Sequence, residues 1–276
     1  MTAAELRRAG LEILTKANFN FPQQECDYLV SGVLQMPLLE LQLAPEKEIP
    51  SEICARLVDF FHRRANHEPA QYILGTAPFR DLDLNVTPAV LIPRPETEEL
   101  VTLALEHAPR NGRVLDMGTG SGAIPAALKY ERPDLHLTAA DLSLDALQVA
   151  RLNAQKYHLE IEFIHSDLWS GLENRVFDLV TANLPYVSDQ EYLQCEKEIF
   201  FEPRMALTAP HDGLELMEKM IGELSAHLVP GGWAIFELSP QQNEYICNVG
   251  RACNFTARSV KDLEGKARFV MLCRES

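Results

Sequence analysis

The chain has 276 residues, 46% of them hydrophobic, with 40 acidic against 25 basic side chains and a formal net charge of −15. That length holds one large domain, or a small one beside a medium one, and the hydrophobic share is enough to bury a core. The charge argues against a broad phosphate-binding surface, because an anionic protein repels nucleic acid at long range, and no run of Lys or Arg exceeds two.

The first stretch, "MTAAELRRAGLEIL", mixes charges among its apolar residues, so it reads neither as a signal peptide nor as a membrane span. The six cysteines, at 26, 54, 195, 247, 253 and 273, form no C-x-x-C, and the eight histidines form no H-E-x-x-H. Reduced thiols in a cytoplasmic protein without a zinc site are expected.

In chain order, residues 1–68 read as a small helical domain. "AAELRRAGLEILTKA" places Leu6, Ala9, Ile13 and Ala17 on one face; Pro22 opens a second helix, and Pro50 and Ser51 a third, with Ile53, Leu57 and Phe60 or Phe61 on its apolar side. Residues 69–90 follow as a linker. Within "QYILGTAPFRDLDLNV", Gly75 to Pro78 separates two extended runs, and Leu82, Leu84 and Val86 alternate with polar residues, which predicts a β-hairpin. A helix then starts at Pro95, where proline is tolerated, with Glu96, Glu98 and Glu99 at the positive end of its dipole.

From residue 113 strands and helices alternate: "RVLDMG", "SGAIPAALKY", "LHLTAAD", "SLDALQVARLNAQ", "IEFIHSD", "VFDLVTAN", "DGLELMEKMIGELSAHL", "WAIFEL", "QQNEYICNVGRA", "FTARSVKD" and "ARFVMLC". Alternation predicts a parallel sheet covered on both faces, and the short connection "LEGK" between the last two strands predicts an antiparallel edge hairpin. "PGG" at 230–232 is expected to end the helix before the strand "WAIFEL".

The chemistry concentrates in three places. Gly118, Thr119, Gly120, Ser121 and Gly122 form a glycine turn between a strand and a helix, where the backbone can approach a ligand closely, and Asp141 ends the next strand at the interval where an acid accepts ribose hydroxyls. A tight turn without a ligand is the alternative. Gly118-x-Gly120-x-x-Ala123 also fits a loose dinucleotide fingerprint, but Asp116 would oppose a pyrophosphate and suits a cationic ligand with a free ammonium group, such as S-adenosylmethionine. Asp167 closes the third strand; with Trp169 it could bond and stack on an adenine, the alternative for Trp169 being a core aromatic.

The third place is "NLPY". Asn183 ends the fourth strand, beside the first, where open α/β sheets bind ligands. Its side-chain oxygen and the main-chain carbonyl of Leu184 are two acceptors that can hold both hydrogens of a planar NH₂. Such a nitrogen is a poor nucleophile, and fixing its hydrogens aims it and stabilises the charge that grows on it. Pro185 stiffens the turn and Tyr186 offers a face to the planar group.

"VLDMGTGSGAI", "AADLS", "SDLW" and "NLPYV" resemble class I S-adenosylmethionine-dependent methyltransferases of amino groups on planar systems. "QYILGTAPF", "LIPRPETEELV", "EPRMAL", "DGLE" and "KDLEGKARFV" narrow the resemblance to the release factor glutamine N5-methyltransferases, the HemK family. The resemblance implies a Rossmann-like methyltransferase domain over 91–276, mostly parallel with an antiparallel edge, after the helical substrate-recognition domain and the hairpin. It implies S-adenosylmethionine as cofactor, contacted by Gly118 to Gly122, Asp141, Trp169 and Asn183. Its substrate would be the glutamine of the Gly-Gly-Gln motif of peptide chain release factors, held by Asn183 to Tyr186. A cytoplasmic monomer that binds neither nucleic acid nor membrane is expected.

The family's motif is Asn-Pro-Pro-Tyr; Leu184 replaces its first proline, and Asn-Leu-Pro-Tyr is similar instead to ribosomal RNA adenine dimethyltransferases. Those need a basic surface, whereas residues 1–90 carry 8 basic and 12 acidic side chains. A non-catalytic release-factor-binding protein is the other alternative. Arg94 could pair with the donor's carboxylate or the substrate backbone, and Thr97 and Glu98 could shape the pocket, a capped helix start being the alternative; Glu202 is open in the same way.

Overall fold

In the computed structural model, which describes residues 1–210 and 212–275, the elements run α1 (Ala3–Lys16), α2 (Pro22–Leu34), α3 (Leu38–Leu43), α4 (Ser51–Ala65), α5 (Ala70–Leu74), β1 (Thr76–Phe79), β2 (Leu82–Asn85), α6 (Pro95–His107), β3 (Arg113–Met117), α7 (Ala123–Glu131), β4 (His136–Asp141), α8 (Leu144–Lys156), β5 (Ile161–His165), β6 (Phe177–Ala182), α9 (Asp189–Tyr192), α10 (Glu215–His227), β7 (Leu228–Glu237), α11 (Asn243–Ala252), β8 (Phe255–Lys261) and β9 (Ala267–Arg274). The chain divides into two compact units, Met1–Thr76 with Glu196–Phe201, and Ala77–Cys195 with Glu202–Ser276.

The smaller unit is helical. Thr2 and Glu5 form a reciprocal capping box at the start of α1, satisfying two amide donors that a helix start leaves open. The apolar stripes of α1, α2 and α4 meet through Leu6, Leu14, Leu29, Leu57 and Phe61, all fully buried. Arg64 of α4, 3% exposed, is held by both oxygens of Glu25 and by Glu198, so its buried charge is paired. Residues 71–74, expected as an extended run, belong to the short helix α5. It ends at Gly75 in the left-handed conformation, whose N–H returns to the Gln71 carbonyl. A local helical cap outweighs the strand preference of Tyr72 and Ile73.

The larger unit is a seven-stranded sheet in the order β5-β4-β3-β6-β7-β9-β8, parallel from β5 to β7 and antiparallel where β9 meets β7 and β8. The edge hairpin expected from "LEGK" is therefore present. The central strands β3, β4 and β6 carry near-continuous buried runs because helices cover both faces of the sheet. The hairpin β1–β2 sits within this unit's own core, with Phe79, Leu82 and Leu84 packed beside Leu100, Val101 and Leu128. β7 already begins at Leu228 and takes "PGG" in as an irregularity, since Phe177 pairs with Leu228 and Leu179 with Trp233. The strand order reverses between β3 and its neighbours β4 and β6, so a crevice opens at the carboxyl ends of β3 and β6.

Candidate active site

The glycine turn is anchored to that crevice by the backbone. The N–H groups of Gly118 and Thr119 both donate to the Ala140 carbonyl, at 2.8 and 3.0 Å, where β4 ends. Gly118 has φ +72°, and a Cβ there would lie 2.7 Å from Leu184 Cδ2; Gly122 has φ +77° and would meet Ala150 Cβ at 3.0 Å. Both positions require glycine for the left-handed backbone and for the close approach. Gly120, with φ +54°, has open space in front of it.

A cleft at this turn is lined by Gly118, Thr119, Gly120 and Ser121, by Asp141 and Ser143 after β4, by Ser166, Asp167 and Leu168 after β5, and by Asn183, Leu184 and Pro185 after β6. Residues 89–91, 93–94, 97, 203 and 205–206 form a further part of its wall. Asp141 turns Oδ2 to the Gly120 N–H and Oδ1 to the Ser143 N–H, each at 2.8 Å. Burial raises its pKa while these two donors oppose the rise. Each carboxylate oxygen keeps a second lone pair for a ligand hydroxyl. Asp167 is exposed at the cleft and caps a short 3₁₀ turn, Leu168–Gly171.

Asp116 lies beneath the turn and is fully buried. Its Oδ1 accepts from the Thr181 hydroxyl at 2.8 Å, and the Thr119 hydroxyl lies against the same carboxylate, neither Oδ2 nor that hydroxyl having a well-formed bond to any other group. Burial pushes this carboxyl up to about 7. Asp116 is not among the residues that line the cleft; its carboxylate beneath the turn would favour a cationic ligand over an anionic one through its charge.

The structure does not bring Trp169 to the cleft. Its ring is 3% exposed, its Nε1 donates to the Met220 carbonyl at 3.0 Å, and it stacks on His227 with centroids 4.2 Å apart. The expected adenine contact is thereby corrected: the following 3₁₀ turn points the indole into the core, where Leu172 and Phe177 surround it. Tyr186 also does not line the cleft. It packs against the same core, its hydroxyl pushed up to about 12 by burial, and its carbonyl accepts from Gln242 at 2.9 Å.

Leu184 is 5% exposed and packs over Gly118, so its side chain fills the space between strand end and glycine turn. Arg94 pairs with the buried carboxylate of Glu202, whose other oxygen accepts from the Ile92 N–H at 3.0 Å. This pair ties the segment before α6 to the one carrying Pro203 and Met205, both in the cleft wall.

Two groups escaped the sequence reading. Asn153 of α8, fully buried, accepts from the Asn85 N–H and side chain and donates to the carbonyls of Asn85 and Ser121, at 2.7 to 3.0 Å. It thus pins both the hairpin β1–β2 and the donor turn; a lone Asn on an amphipathic helix gives no signal for this. Glu237, 1% exposed, accepts from the Thr97 hydroxyl at 2.8 Å, and Asn183 Nδ2 donates to the same hydroxyl at 3.2 Å.

A doubly covered sheet with a glycine turn, a carboxylate after the second strand and an Asn-Leu-Pro-Tyr strand end defines a methyltransferase of the class I fold. The fold is shared with a methyltransferase from Pyrococcus furiosus (TM-score 0.56, 18% identity, 71% of this chain and 91% of that one). Residues 97–211 match the methyltransferase small domain, and residues 5–75 the PrmC N-terminal domain. Release factor glutamine methyltransferases from Koribacter versatilis and Deinococcus radiodurans are 37% and 36% identical, over 98% and 93% of both chains. The chain belongs to the release factor glutamine methyltransferase family.

Proposed function

We propose that the protein transfers a methyl group from S-adenosylmethionine to the side-chain amide nitrogen of the glutamine in the Gly-Gly-Gln motif of peptide chain release factors, in the cytoplasm and as a monomer. The observation that carries the reading is the meeting of Asn183 and Leu184 with the glycine turn and Asp141 in one cleft. Membership of the family supplies the substrate class.

Bound S-adenosylmethionine would supply a methyl carbon made electrophilic by its sulfonium. Asp141 would accept the ribose hydroxyls, the turn Gly118–Gly122 would lie against the donor without Cβ interference, and Thr119, with the Asp116 carboxyl buried behind it, would stand at the amino acid end. Asn183 Oδ1 and the Leu184 carbonyl would accept one hydrogen each from the substrate NH₂. An amide nitrogen is delocalised and weakly nucleophilic, so the two acceptors orient its lone pair and stabilise the positive charge that develops on it. The nitrogen becomes acidic once methylated and loses a proton without a strong base. Leu184 does this with a main-chain oxygen that any residue has, which is why the change from proline is compatible with the reaction.

Among the described residues no helix is long and apolar enough to cross a membrane, and no group of three His, Cys, Asp or Glu could hold a metal ion. The test is incubation with labelled donor, a purified release factor and ribosomal RNA, followed by peptide mapping. Label on the Gly-Gly-Gln peptide is expected; label on RNA alone would replace this reading with adenine methylation.

A further inference from the structure

We propose that Thr97 and Glu237 are positioning residues that fix which end of the Asn183 amide faces the cleft. The inference rests on the role given to Asn183 above and deepens it. Asn183 can serve as an acceptor only if its oxygen, and not its NH₂, points at the substrate, and an amide side chain has two orientations of nearly equal shape.

The geometry selects one. Thr97 Oγ1 stands 2.8 Å from Glu237 Oε2 and 3.2 Å from Asn183 Nδ2, and Thr97 and Glu237 are buried, 5% and 1% exposed. An ionised carboxylate only accepts, so the single hydroxyl hydrogen of Thr97 goes to Glu237. The hydroxyl lone pairs then face Asn183 and require its NH₂. With the NH₂ held inward, Oδ1 is left for the cleft. Asn183 donates to Thr97 and Thr97 to Glu237, and the Asn183 amide also hydrogen-bonds the Glu237 carboxylate directly, which likewise holds the NH₂ inward.

Protonation of Glu237 removes the selection. A carboxylic acid can donate to Thr97 as well as accept from it, so the Thr97 hydrogen can turn towards Asn183 and both orientations of the amide are satisfied. In the rotated one its NH₂ faces the substrate NH₂, two donors opposed, and the grip is lost. The other charged and titratable groups that act on Glu237 are Arg268 of β9, which favours its ionised form, Glu96 of α6, which disfavours it, and the neutral Tyr186 phenol. Burial outweighs them and pushes the Glu237 carboxyl up to about 7. The strand β7 thereby contributes a group to the reaction without touching the substrate, 140 residues from the threonine it holds.

The experiment combines kinetics with a readout that needs no substrate. In methyl transfer to a release factor, wild-type kcat is expected to be about tenfold lower at pH 6 than at pH 8, as for one group ionising near 7. Glu237→Gln, a neutral isostere that can accept or donate at every pH, is expected to lose the part of the pH dependence that Glu237 carries, any remainder belonging to Asp116, whose carboxyl burial also pushes up to about 7. Thr97→Val is expected to lower kcat by on the order of ten- to a hundredfold, with KM for the release factor little changed, and Thr97→Ser to restore it. In ¹⁵N-labelled wild-type protein, the Asn183 side-chain NH₂ resonances, assigned by their loss in Asn183→Ala, are expected to titrate with a midpoint near 7 and to stop titrating in Glu237→Gln. Wild-type kcat in Thr97→Val, an equal loss in Thr97→Val and Thr97→Ser, or NH₂ resonances indifferent to pH would each overturn the proposal. If release factors accept no label but the resonances titrate as described, the substrate reading fails while the positioning stands. If Asn183→Ala abolishes transfer while the Thr97 and Glu237 variants behave as wild type, the reverse holds.

Discussion

Asn153→Ala should destabilise the larger unit far more than an ordinary helix substitution. The side chain is fully buried and makes four hydrogen bonds of 2.7 to 3.0 Å, to the Asn85 N–H, carbonyl and side chain and to the Ser121 carbonyl. Alanine leaves Ser121 without this donor in a buried place and Asn85 with water as its only substitute partner. An unsatisfied buried polar group costs roughly 1–3 kcal/mol, so a total of about 3 kcal/mol is expected. For a domain of this size that corresponds to a fall in Tm of roughly 6–12 °C. Asn153→Asp should do at least as badly, because a carboxylate keeps the acceptor and sets a buried charge against two carbonyl oxygens. Since Ser121 belongs to the donor turn, affinity for S-adenosylmethionine should fall in parallel. Thermal melts followed by circular dichroism, with donor titration by calorimetry, read both effects. A Tm within about 2 °C of wild type for Asn153→Ala would refute the reasoning, since the lost bonds would then be worth under ~1 kcal/mol together.

Other consequences follow from the same residues. Leu184→Pro removes a side chain packed over Gly118 but keeps the carbonyl, so Tm should fall by a few degrees with kcat unchanged or higher; steady-state transfer assays giving background kcat would contradict this. Trp169→Phe loses the bond to the Met220 carbonyl inside the core and should cost about 1–3 kcal/mol in urea unfolding, with donor affinity intact; a large rise in donor Kd would return the indole to the cofactor. Asp116 and Glu237 both have carboxyls raised to about 7 by burial, well above their unfolded values. The folded state therefore holds more protons than the unfolded one between about pH 4 and 7, and these two groups make stability fall as pH rises through that window. Asp116→Asn should shrink the drop in urea midpoint between pH 6 and pH 8; an unchanged drop would mean Asp116 is ionised in the fold at both.

The sheet was legible because strand-like runs alternate with helical ones, four of them closed by Gly118, Asp141, Asp167 and Asn183, and because "LEGK" is too short for anything but a hairpin. The glycine turn, Asp141 and Asn183 were legible because their spacing places them at strand ends on one rim. What escaped depends on distant contacts. Residues 71–74 carry strand-forming side chains and become helical through a cap at Gly75. Trp169 next to Asp167 suggests a ligand wall, but the turn between them rotates the indole inward. Thr97, Asn183 and Glu237 come from three separate elements, and only folding makes them one chain of donors and acceptors. Arg94 and Glu202, each ambiguous alone, are explained by one another.

The most direct test of the account compares wild type with Asn183→Ala in single-turnover transfer from labelled S-adenosylmethionine to a release factor, with donor binding measured on the same samples. The expected result is label on the Gly-Gly-Gln glutamine that appears on the order of 10²–10³ times more slowly in the variant, with donor affinity within a few fold of wild type. Transfer by Asn183→Ala at the wild-type rate would contradict the claim that the strand end grips the amide.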